Sequence, residues 1–364
     1  MRQENFLDKK LQERREQDAF RSLRLPEGKV DFCSNDYLGI IQYGLLETSE
    51  AHWLRHGSGG SRLLAGNDVL TESTEQLLAT FHQSDAALLY NSGYDANLGL
   101  LSAVPQRGDT IIYDYLSHAS IRDGIRLSFA QSFSFKHNDT VDLERRLQAA
   151  TGNIFVVTES VFSMDGDQAP LSEIVSLCER FDAHLIVDEA HATGVIGEKG
   201  EGLVQQLQLQ QRIFARVVTF GKAVGCHGAV VLGSRLLRDY LINFSRSFIY
   251  TTALPQSAIR AIRDAYALFP GMKRERNYLV QLIRYFQDTE IVYEKLVSHT
   301  PIQVVVVPGN EAVKAVAAKL QDAGLDVRPI LYPTVPKGGE RLRIVIHAFN
   351  TEMEIRKLLE LLKK

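Results

Sequence analysis

The sequence predicts an α/β fold organised on a largely parallel sheet, and two features predict it. From about residue 70 the chain alternates short apolar strand-like runs with longer helical patterns, as in strand–helix–strand units. Polar and ionisable residues gather immediately after five of the runs, where open α/β sheets bind ligands.

In order along the chain, residues 1–25 are strongly charged and read as a helix that stops near Pro26. A short strand follows at Val30–Cys33, then a turn at Ser34-Asn35-Asp36-Tyr37-Leu38-Gly39. The main strands are expected at Ala86–Tyr90, Thr110–Tyr113, Ile154–Val157, His184–Val187, Val217–Thr219 and Ala229–Leu232. A helix from Pro255 leads into a smaller unit with strands near Ile302–Val307, Leu325–Leu331 and Leu342–His347 and a last helix from Thr351. The domain reading is an N-terminal segment at 1–39, a large domain at 40–258 and a small one at 259–364.

The 364 residues are 45% hydrophobic and 23% charged, with a net charge of -3. That balance lacks the clustered basic excess of a nucleic-acid binder. The N-terminus has no apolar signal core, and no uninterrupted apolar run reaches the roughly 18 residues of a membrane span. Cys33, Cys178 and Cys226 make neither a disulfide framework nor a metal-ligand spacing, which fits a reduced cytoplasm. Nucleic acid, membrane and metal are therefore not expected as partners.

The chemistry lies in the post-strand clusters. Ser92-Gly93-Tyr94 opens a helix, whose free N–H groups and positive dipole end suit a phosphate; alone, the tripeptide reads as an ordinary cap. His118 follows the strand at Thr110–Tyr113, and Glu159, Ser160 and Ser163 follow the one at Ile154–Val157. Asp188-Glu189-Ala190-His191 ends a strand, and an acid there needs a partner, such as a protonated pyridine nitrogen. The same four letters occur in helicases, but Gly221-Lys222 lacks the rest of a P-loop. Lys222 follows Thr219-Phe220-Gly221, and a desolvated lysine escapes its burial penalty by losing its proton or condensing with an aldehyde. Gly57-Ser58-Gly59-Gly60-Ser61-Arg62 fails the dinucleotide spacing at Arg62, and no G-x-S-x-G hydrolase elbow occurs.

Together these residues resemble the α-oxoamine synthases, from about Leu11 to the C-terminus. The motifs are Phe32-Cys33-Ser34-Asn35-Asp36-Tyr37-Leu38-Gly39, Gly57-Ser58-Gly59-Gly60-Ser61, Leu116-Ser117-His118-Ala119-Ser120, Glu159 to Asp167, Asp188-Glu189-Ala190-His191, Thr219-Phe220-Gly221-Lys222 and Pro333-Thr334-Val335-Pro336. The resemblance implies a pyridoxal-phosphate (PLP)-dependent transferase of fold type I. Its large domain carries a mostly parallel seven-stranded sheet, and a smaller α+β domain is C-terminal. It implies that Lys222 carries the cofactor, that Asp188 pairs with the ring nitrogen and that His118 stacks on the ring, these three being catalytic. Ser163 and His191 lie at the ring oxygen. Ser92, Gly93, Tyr94 and Thr219 form the phosphate cup, with Thr251 and Thr252 reaching it from a partner subunit of a homodimer. Arg343 clamps the amino acid's carboxylate, Asn35 also contacts substrate, and Arg21 and Thr334 contact the acyl group. The implied substrates are an amino acid and an acyl thioester, L-alanine and a pimeloyl thioester on the best-fitting branch. Glycine- or serine-using relatives and aminotransferases of the same fold are the alternatives. Ala192 stands where the family usually has glycine, His227 is unusual after the lysine, and the segment before Asp31 is short.

Overall fold

The computed structural model describes residues 5–21, 28–46 and 54–363. They fall into two compact units. The larger takes in Asn35–Ser163 and Gln168–Arg276; the smaller takes in Met1–Ser34, Met164–Asp167 and Asn277–Lys364.

The first strand, β1 (Val30–Asp31), belongs to the smaller unit. The larger unit is built on β2 (Ala86–Tyr90), β3 (Thr110–Asp114), β4 (Gln131–Phe135), β5 (Ile154–Glu159), β6 (Ala183–Asp188), β7 (Ala215–Thr219) and β8 (Ala229–Gly233). They form one sheet in the order β2-β8-β7-β6-β5-β3-β4. β8 runs antiparallel to both neighbours, and the other pairings are parallel. Side chains alternate between the faces, as a period of two demands. Ile111, Val157, Ile186 and Val217 pack with Leu100, Ile121 and Leu241 of helices Gly93–Ala103, Ala119–Leu127 and Arg235–Phe244. Ile112, Val156, Leu185 and Val187 pack on the opposite face with Leu143 and Ile174 of helices Thr140–Gln148 and Leu171–Arg180. Gly124 lets two of these helices approach closely, since a Cβ there would lie 2.8 Å from the Asn97 carbonyl oxygen.

Within this seven-stranded sheet, β4 is the strand absent from the sequence reading. It is the sheet edge, and only Phe135 of its five residues is buried. The larger unit runs to Arg276, past the boundary read near 258, because helix Gln256–Leu268 packs on helix Val69–Phe81 of the same unit.

In the smaller unit, β9 (Glu294–Lys295), β10 (Ile302–Val306), β12 (Arg328–Ile330) and β13 (Arg341–Val345) form an antiparallel sheet in the order β12-β13-β10-β9. The strand expected at 325–331 is two strands. β11 (Leu325–Asp326) pairs with β1, β12 pairs with β13, and a tight turn at Val327 separates them. The N-terminal helix is Asn5–Glu16, shorter than expected, because the chain turns at Asp18 with φ 55°. Residues 22–27, including the expected stop at Pro26, lie outside the described residues. β1 ends at Asp31 because its carboxylate accepts from the Cys33 and Ser34 N–H groups at 2.7 and 2.9 Å, a local turn that competes with the strand. All three cysteines are free thiols.

The end of helix Lys273–Asp288 is closed by Thr289, whose hydroxyl donates to the Tyr285 carbonyl at 2.7 Å, and by Lys295. Lys295 Nζ donates to the carbonyls of Phe286, Gln287 and Thr289 at 2.9, 2.6 and 2.7 Å. These carbonyls are unpaired at a helix C-terminus and favour a cation. Lys295→Met keeps the stem and removes the donors; it is expected to cost about 2 kcal/mol, read as a lower denaturant midpoint at unchanged slope. An unchanged midpoint would refute the cap.

Candidate active site

Register brings the strand ends to one edge of the larger unit's sheet. Glu159 pairs with Asp188 across β5 and β6, and Asp188 pairs with Val217 across β6 and β7. Thr219 faces Ala229, which faces Tyr90 at the end of β2. Residues that follow Tyr90, Asp114, Glu159, Asp188 and Thr219 therefore emerge together, at the carboxyl edge expected to bind ligands.

The expected anion cup, Ser92-Gly93-Tyr94 with Thr219, lies where β2 meets helix Gly93–Ala103. Ser92 is the N-cap; its hydroxyl accepts from Asp95 N–H at 3.1 Å. The first N–H groups of the helix have no partner within it. Gly93 lies against Thr219, and a Cβ on it would meet the Thr219 side chain at 3.3 Å, so glycine keeps the cup open. The Tyr94 hydroxyl is tied to Asp123. Asn91 Nδ2 donates to Thr251 Oγ1 at 3.0 Å and to the Thr252 carbonyl at 2.9 Å. Folding of the single chain therefore places Thr251 and Thr252 beside the cup, and their distance in sequence does not itself call for a second subunit.

Asp188 is 6% exposed at the end of β6. It accepts from Asn97 Nδ2 at 2.7 Å and from Ala190 N–H at 2.8 Å. Both donors are neutral, so a cation beside this carboxylate would repay the cost of burying it. Asn97 Nδ2 also donates to Ser120 Oγ at 3.0 Å, and Ser120 Oγ stands 2.8 Å from His118 Nδ1. The Ser120 N–H points at the same nitrogen at 3.2 Å. A backbone N–H only donates, so His118 Nδ1 is an acceptor and the neutral ring carries its hydrogen on Nε2. Desolvation first, and the Lys222 charge with it, hold the His118 pKa below the ordinary value against the opposing pull of Asp188. The backbone N–H of His118 donates to Glu159 Oε1 at 2.6 Å. Burial, then the Asp188 charge, push the Glu159 carboxyl up to about 8.

Lys222 sits half-buried in the loop joining β7 to β8, which is closed by Phe220 N–H to Gly228 O and Cys226 N–H to Phe220 O, both at 2.9 Å. Its Nζ lies 2.8 Å from His191 Nε2. His191 Nδ1 lies 2.6 Å from the hydroxyl of the fully buried Tyr37, which donates to Asn35 Oδ1 at 3.1 Å. Ser163 is half-buried in the turn after β5. Ala192 lies fully buried in the core beneath the site, and His227 is exposed in the Lys222 loop.

In the smaller unit, Arg21 Nη2 donates to Thr334 Oγ1 at 3.3 Å, joining the two residues the resemblance marks as acyl contacts. Arg21 lines a groove of about 840 Å³ with Phe20, Cys33, Lys314, Arg328 and Leu331. Arg343 is half-buried on β13, opposite Val304 on β10 and Arg328 on β12.

Sequence reasoning passed over Tyr37, Asn97 and Ser120 as site residues. Asn97 left one signal, an amide among the otherwise apolar buried residues of its helix. The donor set fits PLP: an N–H-lined cup, a buried carboxylate wanting a cation and a lysine on one edge.

The sequence profile of the class I and II aminotransferases matches residues 27–362. The 8-amino-7-oxononanoate synthase of Emericella nidulans is 42% identical over 375 residues, spanning 92% of this chain and 89% of that one. The solved 8-amino-7-oxononanoate synthase of Francisella tularensis is 30% identical with a TM-score of 0.76, over 93% and 98%. A serine palmitoyltransferase solved with PLP is 26% identical with a TM-score of 0.88, over 99% and 96%. The chain belongs to the class I and II aminotransferase family, in its α-oxoamine synthase branch.

Proposed function

We propose that the chain is a PLP-dependent C-acyltransferase. It condenses L-alanine with a pimeloyl thioester to 8-amino-7-oxononanoate, releasing carbon dioxide and free thiol, a step of biotin biosynthesis. The observation that carries this reading is the meeting of Lys222, Asp188, His118, His191 and an anion cup on one sheet edge. Relatives of that name, similar over nearly the whole chain, support the substrate pair.

When bound, PLP supplies an aldehyde for the amino acid's nitrogen and a sink for electrons released at its Cα. The rest is the work of this chain. Ser92, Gly93, Tyr94 and Thr219 hold the phosphate, with Thr251 and Thr252 beside them. Asp188 neutralises a positive ring nitrogen, His118 lies against the ring, and Ser163 and His191 address its oxygen. Lys222 Nζ holds the cofactor and then moves the proton at Cα. Arg343 grips the amino acid's carboxylate, helped by Asn35, and Arg21 and Thr334 receive the acyl thioester. Positioning of two substrates in this way carries much of the rate. In this reading the protein works in the cytoplasm as a homodimer.

A thiol-release assay across L-alanine, glycine and L-serine with several acyl thioesters tests the reading. L-alanine with pimeloyl thioester is expected to give the highest kcat/KM. A higher value for glycine with a short acyl-CoA would overturn the substrate choice, and product formation without free thiol would indicate an aminotransferase. In the same assay Arg343→Ala is expected to weaken alanine binding ~30-fold, about 2 kcal/mol for a lost charge-assisted pair, with little change for the thioester.

A further inference from the structure

The chain of contacts Lys222–His191–Tyr37–Asn35 has a direction. A phenol has one proton to donate. Tyr37 gives it to Asn35 Oδ1 at 3.1 Å, so its oxygen accepts from His191 Nδ1 at 2.6 Å. The imidazole hydrogen then sits on Nδ1, and Nε2 turns a lone pair toward Lys222 Nζ at 2.8 Å. The opposite tautomer would set Nε2–H against a lysine ammonium, donor against donor. Tyr37 is 0% and His191 4% exposed, so water has little access to substitute for the phenol. The partner of one imidazole nitrogen thereby fixes what the other can do.

We propose that Tyr37 is a positioning residue. It locks His191 in the tautomer protonated on Nδ1, so that Nε2 is the acceptor that takes a proton from Lys222. The inference rests on the reading of Lys222 as the reactive lysine. An ammonium has no lone pair, so Lys222 must lose a proton before it can attack an aldehyde or act as a base. One proton passes from Nζ to Nε2, leaving a neutral amine and an imidazolium whose Nδ1–H stays on Tyr37. No other bond changes. His118, held with its hydrogen on Nε2 by the Ser120 N–H, is a donor toward the site, so the two imidazoles are set in opposite senses.

The test reads the tautomer and the lysine separately. Nitrogen NMR of 15N-histidine-labelled protein, with His191 assigned by His191→Gln, is expected to show a protonated Nδ1 and a bare Nε2. Tyr37→Phe, which keeps the ring, and Asn35→Ala, which frees the phenol proton for His191, should both move the hydrogen toward Nε2. Covalent attachment of added PLP, trapped with borohydride and read by mass spectrometry, should slow about tenfold in Tyr37→Phe, the loss of one hydrogen bond. A native His191 with its hydrogen on Nε2, or an unchanged tautomer in both variants, would overturn the proposal. Failure of PLP to attach to Lys222 in the native protein would instead overturn the reading of the site, and the NMR result would stand apart from it.

Discussion

Lys222→Ala is expected to take up PLP without a covalent bond and to lose at least about 10⁴-fold in turnover, the scale on which a nucleophile or base that works with its neighbours is missed. Borohydride treatment of the native protein should leave a stable PLP adduct on the peptide containing Lys222, and none on the variant. The reason lies in where the lysine is held. The β7–β8 loop closes on itself through Phe220, Cys226 and Gly228, so Lys222 has a fixed root, and His191 Nε2 is 2.8 Å from its nitrogen. The variant carries a second signature. The Lys222 charge helps to depress the His118 pKa, so removing it should raise that pKa toward the ordinary value, measurable by NMR titration. An adduct on a different lysine of the native protein would remove Lys222 from its role.

The sequence exposed the residues at the strand ends more fully than their supports, for a physical reason. Lys222, Asp188, His118 and Ser92 each stand within a few residues of the end of an apolar run, and the parallel register sets the ends of such runs side by side. Strand order need not be known to collect them. Tyr37 and Asn97 gain their meaning only from partners 154 and 91 residues away, and no local pattern encodes those meetings. The same limit acted on Thr251, whose separation from the cup in sequence vanishes in the fold through Asn91. Among the sheet strands, β4 was hidden because its exposed Gln131, Ser132 and Phe133 give no run of buried residues. The break at Val327 was hidden because β11 and β12 are individually too short to show a period.

Asp188→Asn is expected to lower turnover by about 10²–10³-fold, the range for removing one preorganised charge from a site. The amide is nearly isosteric, but its one oxygen replaces two that accept from Asn97 and Ala190, so the loss of charge also drops one of these hydrogen bonds. It also reaches Glu159, its neighbour across the β5–β6 register. Glu159 has its pKa raised to about 8 from 4.5, by burial first and the Asp188 charge second. A folded-state pKa above the unfolded value means that the folded protein keeps a proton the unfolded chain has lost. The contribution of Glu159 is thus full below about pH 4.5 and is lost as pH rises toward about 8, with a slope of at most about 1.4 kcal/mol per pH unit. His118, with its lowered pKa, acts in the opposite sense, so Glu159→Gln serves as the reference. In the cofactor-free protein, the native denaturant midpoint should fall relative to Glu159→Gln across that window. Asp188→Asn removes one of the three raising causes, which are burial, Asp188 and Asp114, and in that background the relative fall should be shallower. A difference that is flat or rises with pH would show that Glu159 is ionised in the folded protein, and the placement of a neutral acid beneath His118 would have to be given up.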